Sequence, residues 1–530
     1  MVSWKNLDQC EAYRALLEAP RLRFADMISP ARIRSAWIAH AEDMRFCWAF
    51  APLDDAVMDR LQALADEQQL IEKYRMLLDG EIINTGERRM VLHHLARGRL
   101  GKPVLYQGED MEAFYRHEKE RFFAFAEKVR SGAIRSSDGK PFANVVQIGI
   151  GGSDLGPRAA CIALSRWARA HGRARLQPYF ISNVDPDDAD DVLSRIDLSV
   201  SLFILVSKSG TTQETLANEN LVRARLQSAG LNPDLHMVAV TSKTSPLAGS
   251  SRYLDSFYID DFIGGRYSTS SAVGGVIISI AYGPETFQEF LEGAHAADRC
   301  ALEPSIRKNP VLLDAMIGIY ERNVLGLPCT AVLPYAEPLV RFPAHLQQLD
   351  MESNGKSVSR SGEPLSYSTG PVVFGEPGTN GQHSFYQLLH QGTDIVPLQF
   401  IGFLDNQMSV DIVSEGSSSR QKLIANLLAQ MLAFARGKKD ADPNKTFRGE
   451  RPSTLLVGQV LTPRTLGVLF SHYENKVMFQ GFAWNINSFD QEGVQLGKVL
   501  AKKALTRMGG NASSGDDCLD ALIEAIYSAR

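Results

Sequence analysis

The chain has 530 residues, more than one hydrophobic core accommodates, so two or more domains are expected. Its composition, 44% apolar and 22% charged, is that of a globular protein with ample material for packed interiors. A formal net charge of -5 lacks the basic excess of a nucleic-acid binder, so an anionic ligand must be held by local positive groups.

The first stretch, 1–105, reads as a helical segment with charge-rich faces and no catalytic cluster. It opens without an uninterrupted apolar core of the signal-peptide kind, so no export signal is expected. Nowhere does an apolar run approach the ~20 residues of a membrane helix. Cys10, Cys47, Cys161, Cys300, Cys329 and Cys518 are scattered without a C-x-x-C pair. That spacing fits reduced thiols in a cytoplasmic protein better than a disulfide framework or a zinc site.

A helix is predicted over 111–132, closed by Gly132. Strands and helices then alternate. "NVVQIGI" (144–150), "SLFILV" (201–206) and "HMVAVTS" (236–242) are short apolar runs separated by helical segments, the pattern of a parallel sheet covered on both faces. A second alternation starts at "CTAVLPYA" (329–336), continues with a helix to about Ser353 and reaches another strand in "DIVPLQFIGF" (394–403). The helix predicted over 421–437 puts Leu423, Leu427 and Met431 on one side and stops at Gly437. Residues 437–453 read as an exposed loop, and the chain after Lys498 as helical. The expected fold is α/β, with two doubly wound domains of parallel sheet and helical extensions at both ends. The expected divisions are 1–105, 106–295, 296–505 and 506–530.

Ligands of doubly wound folds sit beyond the carboxyl ends of the strands, where the next helix begins. "SKSGTTQET" (207–215) lies there. Thr211 and Glu214 have capping-box spacing, which places the helix start at Thr211 or Thr212. Free amides and the positive end of the helix dipole favour a phosphate at such a point. Ser207, Ser209 and Thr212 add hydroxyl donors beside Lys208 and Thr211, and Gly210 lets the backbone come close. An ordinary Ser/Thr helix cap has about equal weight from this stretch alone. A second turn, "GIGGSDLG" (149–156), is not the dinucleotide fingerprint, because Asp154 stands where the third glycine belongs. It fits a tight structural turn, and equally a helix start from which Ser153, with Gly152 beside it, reaches a ligand. "SNGKS" (353–357) ends like a P-loop, yet Asp350 occupies the required first glycine, so no nucleotide site is expected.

Six motifs in series, "IGIGGSDLGP", "SKSGTTQET", "DFIGGRYSTSSAVG", "QLDMESNGKS", "GTNGQHSFYQLLHQGT" and "NSFDQEGVQLGK", resemble the glucose-6-phosphate isomerase family over roughly 110–500. The resemblance implies two sugar-isomerase (SIS) domains and interconversion of glucose 6-phosphate and fructose 6-phosphate without metal or other cofactor. It also implies a homodimer whose active sites combine His383 of one subunit with Glu352 of the other. Moving a carbonyl between C1 and C2 requires a base for a C–H proton, a cation beside the enediolate and an acid–base group for ring opening. By resemblance Glu352 is the base, Arg266 stabilises the enediolate, and His383 and Lys498 open the ring. Gln348 and Gln491 are expected to contact the sugar. Glu352 lies three residues before Gly355, a candidate helix end, and Gln348 lies one turn back on the same face. Spacing alone does not choose between His383 and His390, seven residues apart on one helical face; the "NGQH" match selects His383.

This chain departs from the family's usual residues at Thr269–Ser270 (leucine–tryptophan), Glu492 (tryptophan) and Ser209–Gly210 (threonine–phenylalanine). None of these is a catalytic group. A non-catalytic sensor of sugar phosphates would need the cradle but not Glu352, His383 and Lys498 together. An isomerase for another phosphosugar is a second rival. A metal-dependent isomerase is disfavoured, because no tight His/carboxylate cluster is visible.

Overall fold

The computed structural model describes residues 2–510 and 513–527; residues 511–512 and 528–530 of the expected C-terminal tail lie outside them. The chain divides into one unit ending at Ser488 and another beginning at Phe489.

The first unit holds two sheets. One has five parallel strands in the order Gln177–Ile181, Asn144–Ile148, Ser201–Val206, Met237–Ser242, Ser256–Ile259. Every residue of Ser201–Val206 and Met237–Ser242 is buried, which explains why these strands read as continuous apolar runs rather than alternating ones. Val146, Phe203, Leu205, Val222 and Leu226 build the core between this sheet and the Gln213–Ser228 helix.

The other sheet has six strands in the order Trp37–Ala39, Arg45–Phe50, Ser453–Gly458, Leu398–Phe403, Cys329–Tyr335, Val372–Phe374. Its last four are parallel, as expected. The first two correct the all-helical reading of 1–105, for they pair antiparallel along one edge. Arg45–Phe50 is buried on both faces apart from Arg45 and Trp48, so no alternation marks it as a strand in the sequence. The Ser453–Gly458 strand, also missed, emerges directly from the polar stretch 437–453. The Ser419–Arg436 helix stops before Gly437, and Leu427 and Met431 enter the core with Leu423 packed at its margin.

The Met111–Arg130 helix starts on Asp110, whose carboxylate accepts from the amides of Glu112 and Ala113. The 21-residue helix Pro463–Ala483 is buried almost throughout and packs along Pro284–Cys300. No helix among the described residues is long and apolar enough to cross a membrane. The second unit has a 3-10 turn, Glu492–Val494, and two helices, Gln495–Met508 and Asp517–Tyr527, bridged by Arg507 and Glu524 at 2.8 Å.

Candidate functional site

In the first sheet three turns leave the carboxyl ends of strands: Gly151–Ser153, the 207–212 stretch and Gly265–Ser270. Thr212 is the N-cap of the Gln213–Ser228 helix, but its side chain makes no capping bond; its hydroxyl instead accepts from Ser207 at 3.3 Å. The Thr211–Glu214 capping box is therefore not formed. Thr211 donates its hydroxyl to Ser209 Oγ at 2.9 Å, and the Ser207 hydroxyl accepts from the Gly210 amide at 3.1 Å. The hydroxyls bond one another, and the first helix amides are left without a side-chain cap. Gly210 has φ +67, a conformation L side chains rarely adopt.

The matching crevice of the second sheet is built differently. There the Asp411 carboxylate accepts from the amides of Ser419 and Arg420 at 3.1 and 2.9 Å, at the start of the Ser419–Arg436 helix. The Arg420 amide contributes most to pulling the Asp411 pKa down to about 2. A resident carboxylate thus satisfies the helix start in the second sheet, whereas the corresponding helix start in the first sheet has no side-chain cap.

Lys208 does not turn into the hydroxyl cluster. Its ammonium donates to the carbonyls of Asp261 and Ile263 at 3.2 and 3.1 Å, tying the cradle to the segment that leads into Arg266. Burial lowers its pKa, with Asp261 opposing. The Gly151–Ser153 turn meets the same segment, for a Cβ on Gly152 would collide with the Gly265 backbone. The Ser153 carbonyl accepts from Gln147 Nε2 at 2.7 Å, and its side chain is half-buried.

Glu352 ends a π turn, Gln348–Glu352, that follows the short helix Phe342–Gln347. The uniform α-helix expected here is thus widened by one residue per turn, and Gln348 and Glu352 still share a face. Gln348 Nε2 donates to Glu352 Oε2 at 3.1 Å, and Arg266 Nη1 lies 3.2 Å from the same oxygen. Arg266 is buried, and its fork is held elsewhere too: Nε donates to Ser353 Oγ and Nη2 to the Ser488 carbonyl, both at 2.6 Å. Tyr267 OH lies 3.2 Å from Ser353 Oγ, and its ring packs on His93 at 4.9 Å. The Gly355 amide donates to the Met351 carbonyl at 3.0 Å, so the helix does end there.

Ser353, Tyr267, His93 and the Ser488 carbonyl were not singled out from sequence. Ser353 and Tyr267 stand directly beside Glu352 and Arg266 inside quoted motifs, which was the available signal. Ser488 likewise stands inside the quoted "NSFDQEGVQLGK", whereas His93 carried no signal.

His383 lies on a 3-10 turn, Asn380–His383, and is exposed; its ring has no hydrogen-bond partner among the described residues. The turn is anchored by its neighbour Gln382, which donates to Tyr335 OH at 2.8 Å. His390 belongs to a separate helix, Tyr386–Gln391, so the two histidines do not share one helical face. His390 stacks on Phe434 at 3.8 Å and bonds Gln430 at 2.9 Å, a structural placement. Gln491 caps the Glu492–Val494 turn, and Lys498 is exposed on the Gln495–Met508 helix, both in the second unit.

Comparison with known proteins places the chain in a family. The model of the family described as Phosphoglucose isomerase matches residues 49–523. A Glucose-6-phosphate isomerase of Treponema denticola is 57% identical over 514 residues, covering 95% of this chain and 97% of its own. That of Borreliella burgdorferi is 46% identical over 534 residues, covering 100% and 99%. The crystal structure of a glucose-6-phosphate isomerase from Chlamydia trachomatis superposes with a TM-score of 0.91 at 44% identity, covering 99% of this chain and 100% of its own. Near-complete coverage in both directions, together with a carboxylate and an arginine meeting beyond the strand ends, leads to one conclusion: the chain belongs to the phosphoglucose isomerase family.

Proposed function

We infer that the chain is a glucose-6-phosphate isomerase, interconverting glucose 6-phosphate and fructose 6-phosphate by ring opening and proton transfer through a cis-enediol(ate), a step of glycolysis and gluconeogenesis. The observation that carries the residue assignment is the convergence of Gln348 and the buried Arg266 on one oxygen of Glu352. Glu352 takes the proton from C2 of the open aldose and returns it to C1, and the reverse for the ketose. Arg266, always cationic, stabilises the negative oxygen of the enediolate formed in between. Gln348, already bonded to the base, orients it and faces the sugar. The amides and hydroxyls of 207–212, with Gly152 and Ser153, take the phosphate, and this remote binding serves the chemical step. His383 and Lys498 shuttle the ring-opening proton, with Gln491 beside the sugar.

A homodimer with shared sites is part of the reading. The exposed His383, without a hydrogen-bond partner among the described residues, supports it. So do the side chains of Val410, Ile412 and Val413, each about 70% exposed on one loop and hairpin, since contiguous apolar surface of this kind marks an interface. We further propose a cytoplasmic location, supported by six cysteines free of disulfides, and the sequence-based division at about 105, 295 and 505.

The test is a coupled assay following fructose 6-phosphate to glucose 6-phosphate. The wild type should turn over, and Glu352→Gln should lose on the order of 10²–10⁴ in kcat while still binding a hexose phosphate. Near-normal turnover of the purified variant would remove Glu352 from the role of base.

A further inference from the structure

Behind the Glu352 turn lies a cavity of about 30 Å³. Two π turns deliver a carboxyl to it: Glu321 from Tyr320–Val324 and Asp350 from Gln348–Glu352. A π turn carries one residue more per turn than an α-helix and is frequent at functional sites. Its persistence requires something to hold the displaced residue in place.

Glu321 is 7% exposed, and its carboxyl makes no hydrogen bond among the described residues. Gln480, 2% exposed, also lines the cavity, and its Oε1 is likewise without a partner. Asp350 uses one oxygen, Oδ1, to accept from Asn354 Nδ2 at 3.3 Å. Lys476 Nζ spends one of its three donors on Asp314 Oδ2 at 2.9 Å. The polar groups facing this space therefore have unused bonding capacity. A water needs roughly 10–15 Å³ of such volume and two to four polar partners, so the cavity has room for about two. Buried polar groups left unsatisfied would be costly, and water is the partner that fits.

We propose that Glu321, bridged by cavity water to Asp350 and Lys476, is a positioning residue that keeps the Gln348–Glu352 turn in its π form and so holds Glu352 against Arg266. This rests on the reading of Glu352 as the base. Relaxation of the turn to α geometry would rotate the following residues by about 100° per residue removed from the bulge, carrying the carboxylate off Arg266. Glu321 acts as a neutral carboxyl, which both donates and accepts. Burial raises its pKa to about 8, and burial likewise raises that of Asp350 to about 6. The charged groups around Glu321 are Lys476 from the Pro463–Ala483 helix, Asp314 from Pro310–Ile319, Asp350 from the facing π turn and, on its own turn, Arg322, whose Nε is taken by the Thr369 carbonyl at 2.7 Å. Ionisation of Glu321 would draw Lys476 from Asp314 and remove the donated bond.

The experiment compares Glu321→Leu, Glu321→Gln and Glu352→Gln in the full-length enzyme by steady-state kinetics from pH 6 to 9.5. Glu321→Leu should lose at least tenfold in kcat with KM within twofold of wild type. Glu321→Gln, of the same shape and permanently neutral, should keep kcat within twofold at pH 7 and lack the fall expected of the wild type as pH passes about 8. A folded Leu variant with wild-type kcat would overturn the proposal. An alkaline limb in the Gln variant superimposable on that of the wild type would do so as well, and decides alone if the Leu variant does not fold. Normal turnover of Glu352→Gln would overturn the base assignment and the positioning role with it, which separates that failure from the others.

Discussion

Arg266 uses its guanidinium in three directions at once: toward Ser353, the Ser488 carbonyl and Glu352. Only a rigid planar fork spans such a set; an ammonium offers a compact point charge on a flexible stem. Arg266→Lys should therefore keep a positive charge in the site yet lose its placement. The expected loss is on the order of 10² in kcat, as for removal of one preorganised oxyanion donor. A Lys variant within twofold of wild-type kcat in the coupled assay would exclude stabilisation by the fork. His383 and His390 show how far a residue's type informs on its role. Both are histidines of one motif, but His390 is stacked and hydrogen-bonded, and burial lowers its pKa.

At the scale of elements, the site depends on loops approaching closely rather than on any single helix. Gly152 abuts the Gly265 backbone, and Ser268 Oγ donates to the Gly265 carbonyl at 2.6 Å, so the turn before Arg266 is fixed from both sides. A methyl group at Gly152 has no space and must push the Arg266 turn away. Gly152→Ala should cost about 1–3 kcal/mol of stability, the usual range for overpacking. It should also lower kcat, because the displaced turn carries Arg266, proposed as the cation beside the enediolate. Thermal melts and the coupled assay check both effects, and an unshifted melting temperature with normal kcat would mean the two turns separate freely. The widened turn below Glu352 belongs to the same scale: a π turn has no period of its own in sequence, so 348–352 read as ordinary helix.

For the whole molecule, the buried carboxyls set a pH dependence of stability. Glu321 has its pKa raised by burial from 4.5 to about 8. Between those values the native state holds a proton that the unfolded chain has released. Its contribution is thus present in full below pH 4.5 and is lost as pH rises through about 8. Glu321→Gln should gain stability relative to wild type as pH rises across this window, with no relative change below it. Denaturant midpoints at pH 4.5, 6.5 and 8.5 measure the difference; a constant offset would place the titration elsewhere. The proposed shared-site homodimer makes a separate prediction. Homodimers of Glu352→Gln and of His383→Ala should both be nearly inactive. In a mixed dimer one site carries both lesions and the other neither. With random pairing of equal amounts, half the dimers are mixed and half of their sites intact, so roughly a quarter of wild-type activity should return. No recovery in a verified mixed dimer would assign both residues to one chain.

Sequence alone determined the fold class, because fully buried parallel strands read as near-continuous apolar runs, and Ser201–Val206 shows this at every position after Ser201. It also determined the family, since six motifs in order leave little freedom, and Glu352 and Arg266 stood inside them. Only tertiary structure decided that Arg45–Phe50 leaves the N-terminal segment to edge the second sheet, because pairing with Ser453–Gly458 joins positions some four hundred residues apart. It likewise turned Lys208 toward backbone carbonyls and Thr212 toward Ser207, where local capping rules expected otherwise. Asp411 was invisible as the occupant of the second crevice. Local propensity registers only near neighbours, whereas each of these outcomes was settled by groups that folding brought into contact.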